Sequence, residues 1–263
     1  MKIKSKKSLG QNFLIDKNII KKIVETGNIL SDSSVLEVGA GTGNLTEFIL
    51  EKKPKKLFII EKDEKLVEVL KERFDKQINI INKDILQISE HLISPDKLIV
   101  YGNLPYNIST QILSKWITND NQDSWYKNYI LMFQKEVADR ILAKTNSKNY
   151  GRLSILSNWK LDVKKIFNIS ASCFMPKPKI ESTLLKFTPK KNYFKLKNSK
   201  NLEIVTRVFF NQRRKKIKKP LNQLFKKTEF IIEKLKLNVE LRPQNLSPNT
   251  FYEIAKEYES LRN

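Results

Sequence analysis

The chain holds one cysteine, Cys173, so no intramolecular disulfide can form, and a reducing compartment is implied. One histidine, His91, cannot complete a zinc site with it at any usual ligand spacing. No run reaches the ~20 apolar residues that a membrane-spanning helix needs. The basic stretch Met1 to Lys7 leads into Gly10-Gln11-Asn12 rather than an apolar segment, so it is no secretory signal. A soluble, cytoplasmic protein is the expectation. Acids are also short: 28 against 50 basic residues, for a formal charge of +22. A surface of that sign usually faces a polyanion, and RNA, DNA and anionic membrane all remain open at this point.

A lysine-rich composition can reflect genomic base bias, and 42 of the 50 basic residues are lysine. Such a bias should also raise glutamate, which the acid count does not show. The excess is uneven as well: residues 190–263 hold 19 basic and seven acidic side chains, net +12. Part of the charge is therefore read as functional.

Glycine is scarce, with seven in the chain, yet three fall within five positions at Gly39, Gly41 and Gly43. They follow the apolar run Val35-Leu36-Glu37-Val38 and precede Asn44 to Lys52, where Leu45, Phe48 and Ile49 share a helical face. A helix over 17–28 capped by Asp16 stands ahead of them. Further strands are read at 57–60, 78–81, 98–101 and 129–133, with a helix over 65–74. Segments around Ser154-Ile155-Leu156 and Ser182–Phe187 are expected to complete the sheet. Strands alternating with helices imply an α/β fold with a mostly parallel, doubly wound, Rossmann-like sheet. Beyond Pro189 the patterns turn wholly helical. Two unequal domains are expected: 1–190, carrying the N-terminal basic segment, and a smaller all-helical domain over 191–263.

A glycine loop between strand and helix lets backbone approach a nucleotide-like ligand closely. A dinucleotide fingerprint would want glycine at Asn44, and the phosphate-loop lysine is missing. The Gly-x-Gly-x-Gly form suits S-adenosylmethionine better. Glu61, 22 residues after Gly39 at a strand end, is placed for ribose hydroxyls, or is simply a solvated carboxylate. Asp84 would then lie near the cofactor adenine, and Asn103 near its methionine end.

Asn103-Leu104-Pro105-Tyr106 follows the run 98–101. An amide oxygen, a proline-constrained carbonyl and an aromatic face are what a planar amine such as adenine needs beside a methyl donor. Hydrogen bonds from the amine to Asn103 Oδ1 and the Leu104 carbonyl would localise its lone pair, and Tyr106 would stack on the base. Since the donor sulfonium is already activated, alignment and electrostatics suffice without metal or strong base. The bland alternative is a strand ending in a proline turn with Tyr106 as core filler. A nicotinamide oxidoreductase fails on Asn44 and on the lack of a catalytic acid or base.

Taken with Leu9-Gly10-Gln11-Asn12-Phe13-Leu14, Phe133-Gln134-Lys135-Glu136-Val137, Tyr150-Gly151-Arg152-Leu153-Ser154, Phe174-Met175-Pro176-Lys177-Pro178 and Phe210-Asn211-Gln212-Arg213-Arg214-Lys215, these motifs span nearly the whole chain. It resembles the ribosomal RNA adenine dimethyltransferases, which modify two adjacent adenosines near the 3′ end of small-subunit rRNA. The resemblance implies S-adenosylmethionine as donor, S-adenosylhomocysteine as product and no metal. It implies small-subunit rRNA in the assembling 30S particle as partner, a monomer and no membrane. By resemblance, Asn12, Leu14, Gly39, Gly41, Gly43, Glu61, Asp84 and Asn103 would contact the cofactor. Tyr106 and Phe174 would sandwich a flipped adenine beside Asn103, Leu104 and Pro105, with a core role as the alternative for Phe174. A basic helix bearing Arg213, Arg214, Lys215, Lys216, Lys218 and Lys219 would contact rRNA phosphates. The related enzymes that methylate a large-subunit adenosine share the loop and an Asn-x-Pro-Tyr motif, and the 9–14, 150–154 and 211–215 stretches favour the small-subunit enzyme over them. A binder that has lost its chemistry is disfavoured by the intact quartet.

Overall fold

The computed structural model describes residues 11–119 and 124–261. The basic stretch 1–7 and the Leu9-Gly10 start of the first motif lie outside them. The first half runs β1 (Phe13–Leu14), α1 (Lys17–Thr26), β2 (Ser34–Val38), α2 (Asn44–Glu51), β3 (Lys56–Ile60), α3 (Glu64–Phe74), β4 (Asn79–Ile81) and β5 (Leu98–Gly102). Next come α4 (Ser109–Ile117), β6 (Tyr126–Gln134), α5 (Lys135–Ile141), α6 (Arg152–Lys160), β7 (Leu161–Ile169), β8 (Phe174–Met175) and β9 (Ser182–Pro189). Four helices end the chain: α7 (Lys200–Asn211), α8 (Lys218–Leu224), α9 (Thr228–Lys234) and α10 (Pro248–Ser260).

A seven-stranded sheet is ordered β4-β3-β2-β5-β6-β9-β7, and β1 pairs with β8 in a separate two-stranded ladder. The pairs from β4 across to β6 are parallel, while β6 and β9 run antiparallel. All five residues of β2 and of β5 are buried, as expected for central parallel strands covered on both faces. Ile20, Ile23 and Val24 of α1 join Val35, Ile99 and Tyr101 in one apolar core. Each such side chain contributes roughly 1.5–3 kcal/mol by leaving water. Asp16 caps α1 as expected, its Oδ1 accepting from Ile19 N at 3.0 Å.

The sequence expectation fails at 154–156. Ser154, Ile155 and Leu156 lie in α6, whose Ser154 Oγ accepts from Gly151 N at 2.9 Å and so satisfies an orphan donor of the first turn. Ser154, Ile155, Leu156, Ser157 and Trp159 are all buried, so the segment carries no one-sided apolar stripe to mark it as helical. The strand is instead β7, where Lys164 and Lys165 interrupt the alternation.

The chain divides into two compact units. One comprises the described parts of Met1–Ile112, Asp123–Ala138 and Val163–Pro189 and contains most of the sheet. The other comprises the described parts of Leu113–Gln122, Asp139–Asp162 and Lys190–Asn263. The expected cut near 190 marks one edge of the second unit, which also takes in two shorter pieces, 113–122 and 139–162, the latter carrying α6. Within that unit Phe209 of α7 meets Phe251 of α10 edge-on at 5.4 Å. Trp159 Nε1 donates to Phe194 O at 2.7 Å, which ties α6 to the segment after 190. Over its sequence ranges this unit carries 25 basic and 10 acidic residues, net +15.

Candidate active site

The carboxyl ends of β2, β3, β4 and β5 open on one cavity of about 300 Å³, at the lower end of the range for small-molecule clefts. Asn12, Leu14, Gly39, Gly41, Glu61, Asp84 and Asn103 all line it, as do Leu104, Pro105 and Tyr106. Ligands of open α/β sheets bind at this end of the strands because the connecting loops splay apart there.

Gly41 has φ +60°, the left-handed region, and a Cβ built there would lie 2.8 Å from Phe13 Cδ1. The loop therefore needs glycine twice over, for its backbone and for the ring beside it. Gly43 is placed differently from Gly39 and Gly41. It does not line the cavity; a Cβ on it would lie 2.4 Å from Phe74 Cε2, so its absence lets α3 pack against the start of α2.

Glu61 is buried at the end of β3, and both oxygens are held by backbone. Oε2 accepts from Gly41 N at 3.1 Å and Oε1 from Asp63 N at 2.9 Å. Burial pushes its carboxyl above the ordinary range, and those hydrogen bonds pull the other way. A carboxylate offers about four lone-pair sites, so these two donors leave acceptor capacity on the cavity side. Under the same loop lies Glu37, accepting from Thr46 Oγ1 at 2.7 Å. Burial, helped by the neighbouring Glu61 charge, raises it to about 7 against the pull of Thr46. Asp84 Oδ1 accepts from Leu86 N at 3.0 Å, and Oδ2 pairs with Lys62 Nζ at 2.8 Å.

Asn103 follows β5 directly. Its Nδ2 donates to Asn12 O at 2.8 Å, which fixes the amide so that Oδ1 faces away from that carbonyl. Among the described residues no protein group donates to Oδ1. Leu104 is buried and anchors the turn, while Tyr106 is half-buried with its hydroxyl 2.6 Å from Ser182 Oγ. Burial pushes the Tyr106 phenol above its ordinary range, against the pull of the Ser182 hydrogen bond.

Phe174 sits in the core, the alternative that the sequence left open. It is 2 % exposed, belongs to the apolar core and does not line the cavity. The ladder of β1 and β8 explains this, because Leu14 and Phe174 stand opposite one another and share its buried face. Sequence reasoning also overlooked lining residues Phe13, Ile85, Leu86 and Met132. Phe13 stood inside a quoted motif and Ile85 next to Asp84, so adjacency was the available signal; Met132, inside a strand, offered none.

The expected basic helix is not one helix. Arg213 to Lys216 form the turn between α7 and α8, and only Lys218 and Lys219 are helical. Arg213 donates to the carbonyls of Ser147 and Lys148 and, at 3.3 Å, to Gln244 Oε1. Lys216 pairs with Glu240. Arg214, Lys215, Lys218 and Lys219 are exposed.

The residues around the cavity suit S-adenosylmethionine: left-handed glycines beside a close-packed ring, a preorganised carboxylate for hydroxyl donors and apolar Ile85 and Leu86 next to Asp84. Residues 2–260 match the family model described as ribosomal RNA adenine dimethylase. The chain is 58% identical over 262 residues to the ribosomal RNA small subunit methyltransferase A of Pelagibacter ubique, covering 100% of both. It is 41% identical over 263 residues to the same-named protein of a Wolbachia strain from Drosophila simulans, covering 98% of this chain and 95% of the relative. Among solved structures, a dimethyladenosine transferase from Plasmodium falciparum superposes with TM-score 0.80 at 29% identity, covering 94% and 98%. The 23S rRNA methyltransferase ErmE shares the fold, with TM-score 0.67 at 20% identity over 95% and 100% of the chains. The chain belongs to the ribosomal RNA adenine dimethylase family, whose members are S-adenosylmethionine-dependent methyltransferases.

Proposed function

We propose that this protein transfers methyl groups to N6 of two adjacent adenosines near the 3′ end of small-subunit rRNA, giving dimethyladenosines. It acts as a cytoplasmic monomer on the assembling 30S particle. The observation that carries the chemistry is the Asn103 amide, turned by Asn12 O so that Oδ1 is the acceptor left over. When bound, the cofactor supplies a methyl group on a sulfonium and leaves as a neutral thioether.

The chain's own residues do the rest. An adenine N6 lone pair is delocalised into the ring; donating its N–H bonds to Asn103 Oδ1 and Leu104 O, two in the first transfer and the one that remains in the second, localises that pair. The extra N6 proton would go to water. Tyr106, tethered through its hydroxyl to Ser182, offers a ring face for the extruded base. Glu61, Asp84, Gly39 and Gly41 are the cofactor contacts, joined by Asn12 and Leu14. Lysines and Arg214 of the net +15 helical unit take rRNA phosphates, which gives salt-dependent affinity without reading sequence.

The test is transfer of labelled methyl groups to unmethylated small subunits, large subunits and naked rRNA, followed by nucleoside analysis. Dimethyladenosine on the small subunit alone is expected, with loss of about 10²-fold or more in Asn103→Ala at unchanged particle binding. Label on large-subunit rRNA, or an active Asn103→Ala, would overturn the reading.

A further inference from the structure

The segment 11–15 behaves as a short strand with two different edges. Along a strand, residues i and i+2 present their backbone groups to the same side. Toward one side, Phe13 stands opposite Met175, and Ile15 N donates to Cys173 O at 2.8 Å. The residues between them, Asn12 and Leu14, face the other side, where no strand runs among the described residues. Two side-chain amides take its place. Asn103 Nδ2 donates to Asn12 O at 2.8 Å, and Asn44 Nδ2 donates to Leu14 O, also at 2.8 Å. Asn44 is the first residue of α2, directly after Gly43.

From this geometry we infer that Asn44 is a positioning residue for methyl transfer, acting through the strap 12–15 on the Asn103 amide. The inference rests on the proposed role of Asn103. Asn12 O is the group that decides which way that amide turns. If the amide rotated by half a turn, Oδ1 would oppose a carbonyl oxygen and Nδ2 would face the substrate amine, donor against donor. Asn12 O is main chain, so its position depends on what holds the strap. The ladder to β8 holds one edge; on the other, Asn44 supplies the rung next to that of Asn103. Without it Leu14 O loses its donor, and the strap is free to shift relative to the glycine loop that it lines with Phe13.

Asn44→Asp separates this role from a structural one. The shape is kept, but a carboxylate only accepts, so it opposes Leu14 O. In the first turn of α2 a negative charge is favoured by the helix dipole, so folding stability is held. In single-turnover assays on small subunits, Asn44→Asp should lower the rate at saturating cofactor by about tenfold or more, at an unchanged melting temperature. Cofactor affinity, read calorimetrically, should change less than about threefold. In an Asn103→Ala background the same change should cost less than about twofold, because the two act as one unit. A wild-type rate for Asn44→Asp, full additivity with Asn103→Ala, or a loss confined to cofactor affinity would overturn the inference. A wild-type protein that methylates nothing would instead overturn the proposed function, so the two failures are distinct.

Discussion

Replacing Glu37 by glutamine should stabilise the protein at alkaline pH and leave it unchanged in acid. Glu37 is 1 % exposed and lies under the glycine loop with Thr46 Oγ1 as its hydrogen-bond donor. Burial raises its carboxyl from 4.5 to about 7. The folded chain thus holds this proton more tightly than the unfolded chain, so unfolding releases it between those two values. Stability from Glu37 is complete below about pH 4.5, falls as pH rises and is lost above about 7. A displacement of that size corresponds to about 3 kcal/mol at pH 8, where the folded state carries an ionised group out of water. Glutamine removes the ionisation and its Oε1 can still accept from Thr46. Urea unfolding of both proteins from pH 4.5 to 9 is the assay. The stability difference should open from near zero to about 3 kcal/mol, with equal slopes in denaturant. A difference that does not vary with pH would refute the assignment of a buried, protonated carboxyl at this position.

Three further outcomes are expected. Gly41→Ala should weaken S-adenosylmethionine binding by about tenfold or more, since φ +60° alone costs roughly 1–2 kcal/mol and the new Cβ meets Phe13 at 2.8 Å; isothermal titration checks it, and an unchanged affinity would remove the loop from the site. Arg213→Glu should lower the melting temperature by severing its three hydrogen bonds to the helical unit's own loops. Arg214→Glu with Lys215→Glu should leave folding intact and reduce the salt slope of rRNA binding by about 1.5. Equal effects from both changes would mean that the turn is not divided between a structural arginine and exposed phosphate-binding groups.

The sequence alone determined those parts of this protein that depend on local chemistry. Gly39, Gly41 and Gly43 stood out because left-handed backbone between a strand and a helix demands glycine, and Asn103 to Tyr106 because a proline turn after an apolar run is local. The mostly parallel sheet followed from alternation, though not its strand order, and Glu61, Asp84 and Asn103 share the cavity because successive parallel strands all end at the same face. Tertiary structure decided what depends on the partner of each group. Phe174 reads equally well as platform or core until its ladder with β1 turns it into the core. Arg213 and Arg214 are neighbours of one chemistry, yet the first is taken up by distant carbonyls and the second is left to solvent. Gly43 answers to Phe74 rather than to a ligand, and Asn44, which in the sequence only marked a departure from another fingerprint, meets a carbonyl 30 residues earlier. A periodic pattern records which face of an element is buried, while the hydrogen-bond partner of a single polar side chain is set by chain segments that only the folded state brings within 3 Å.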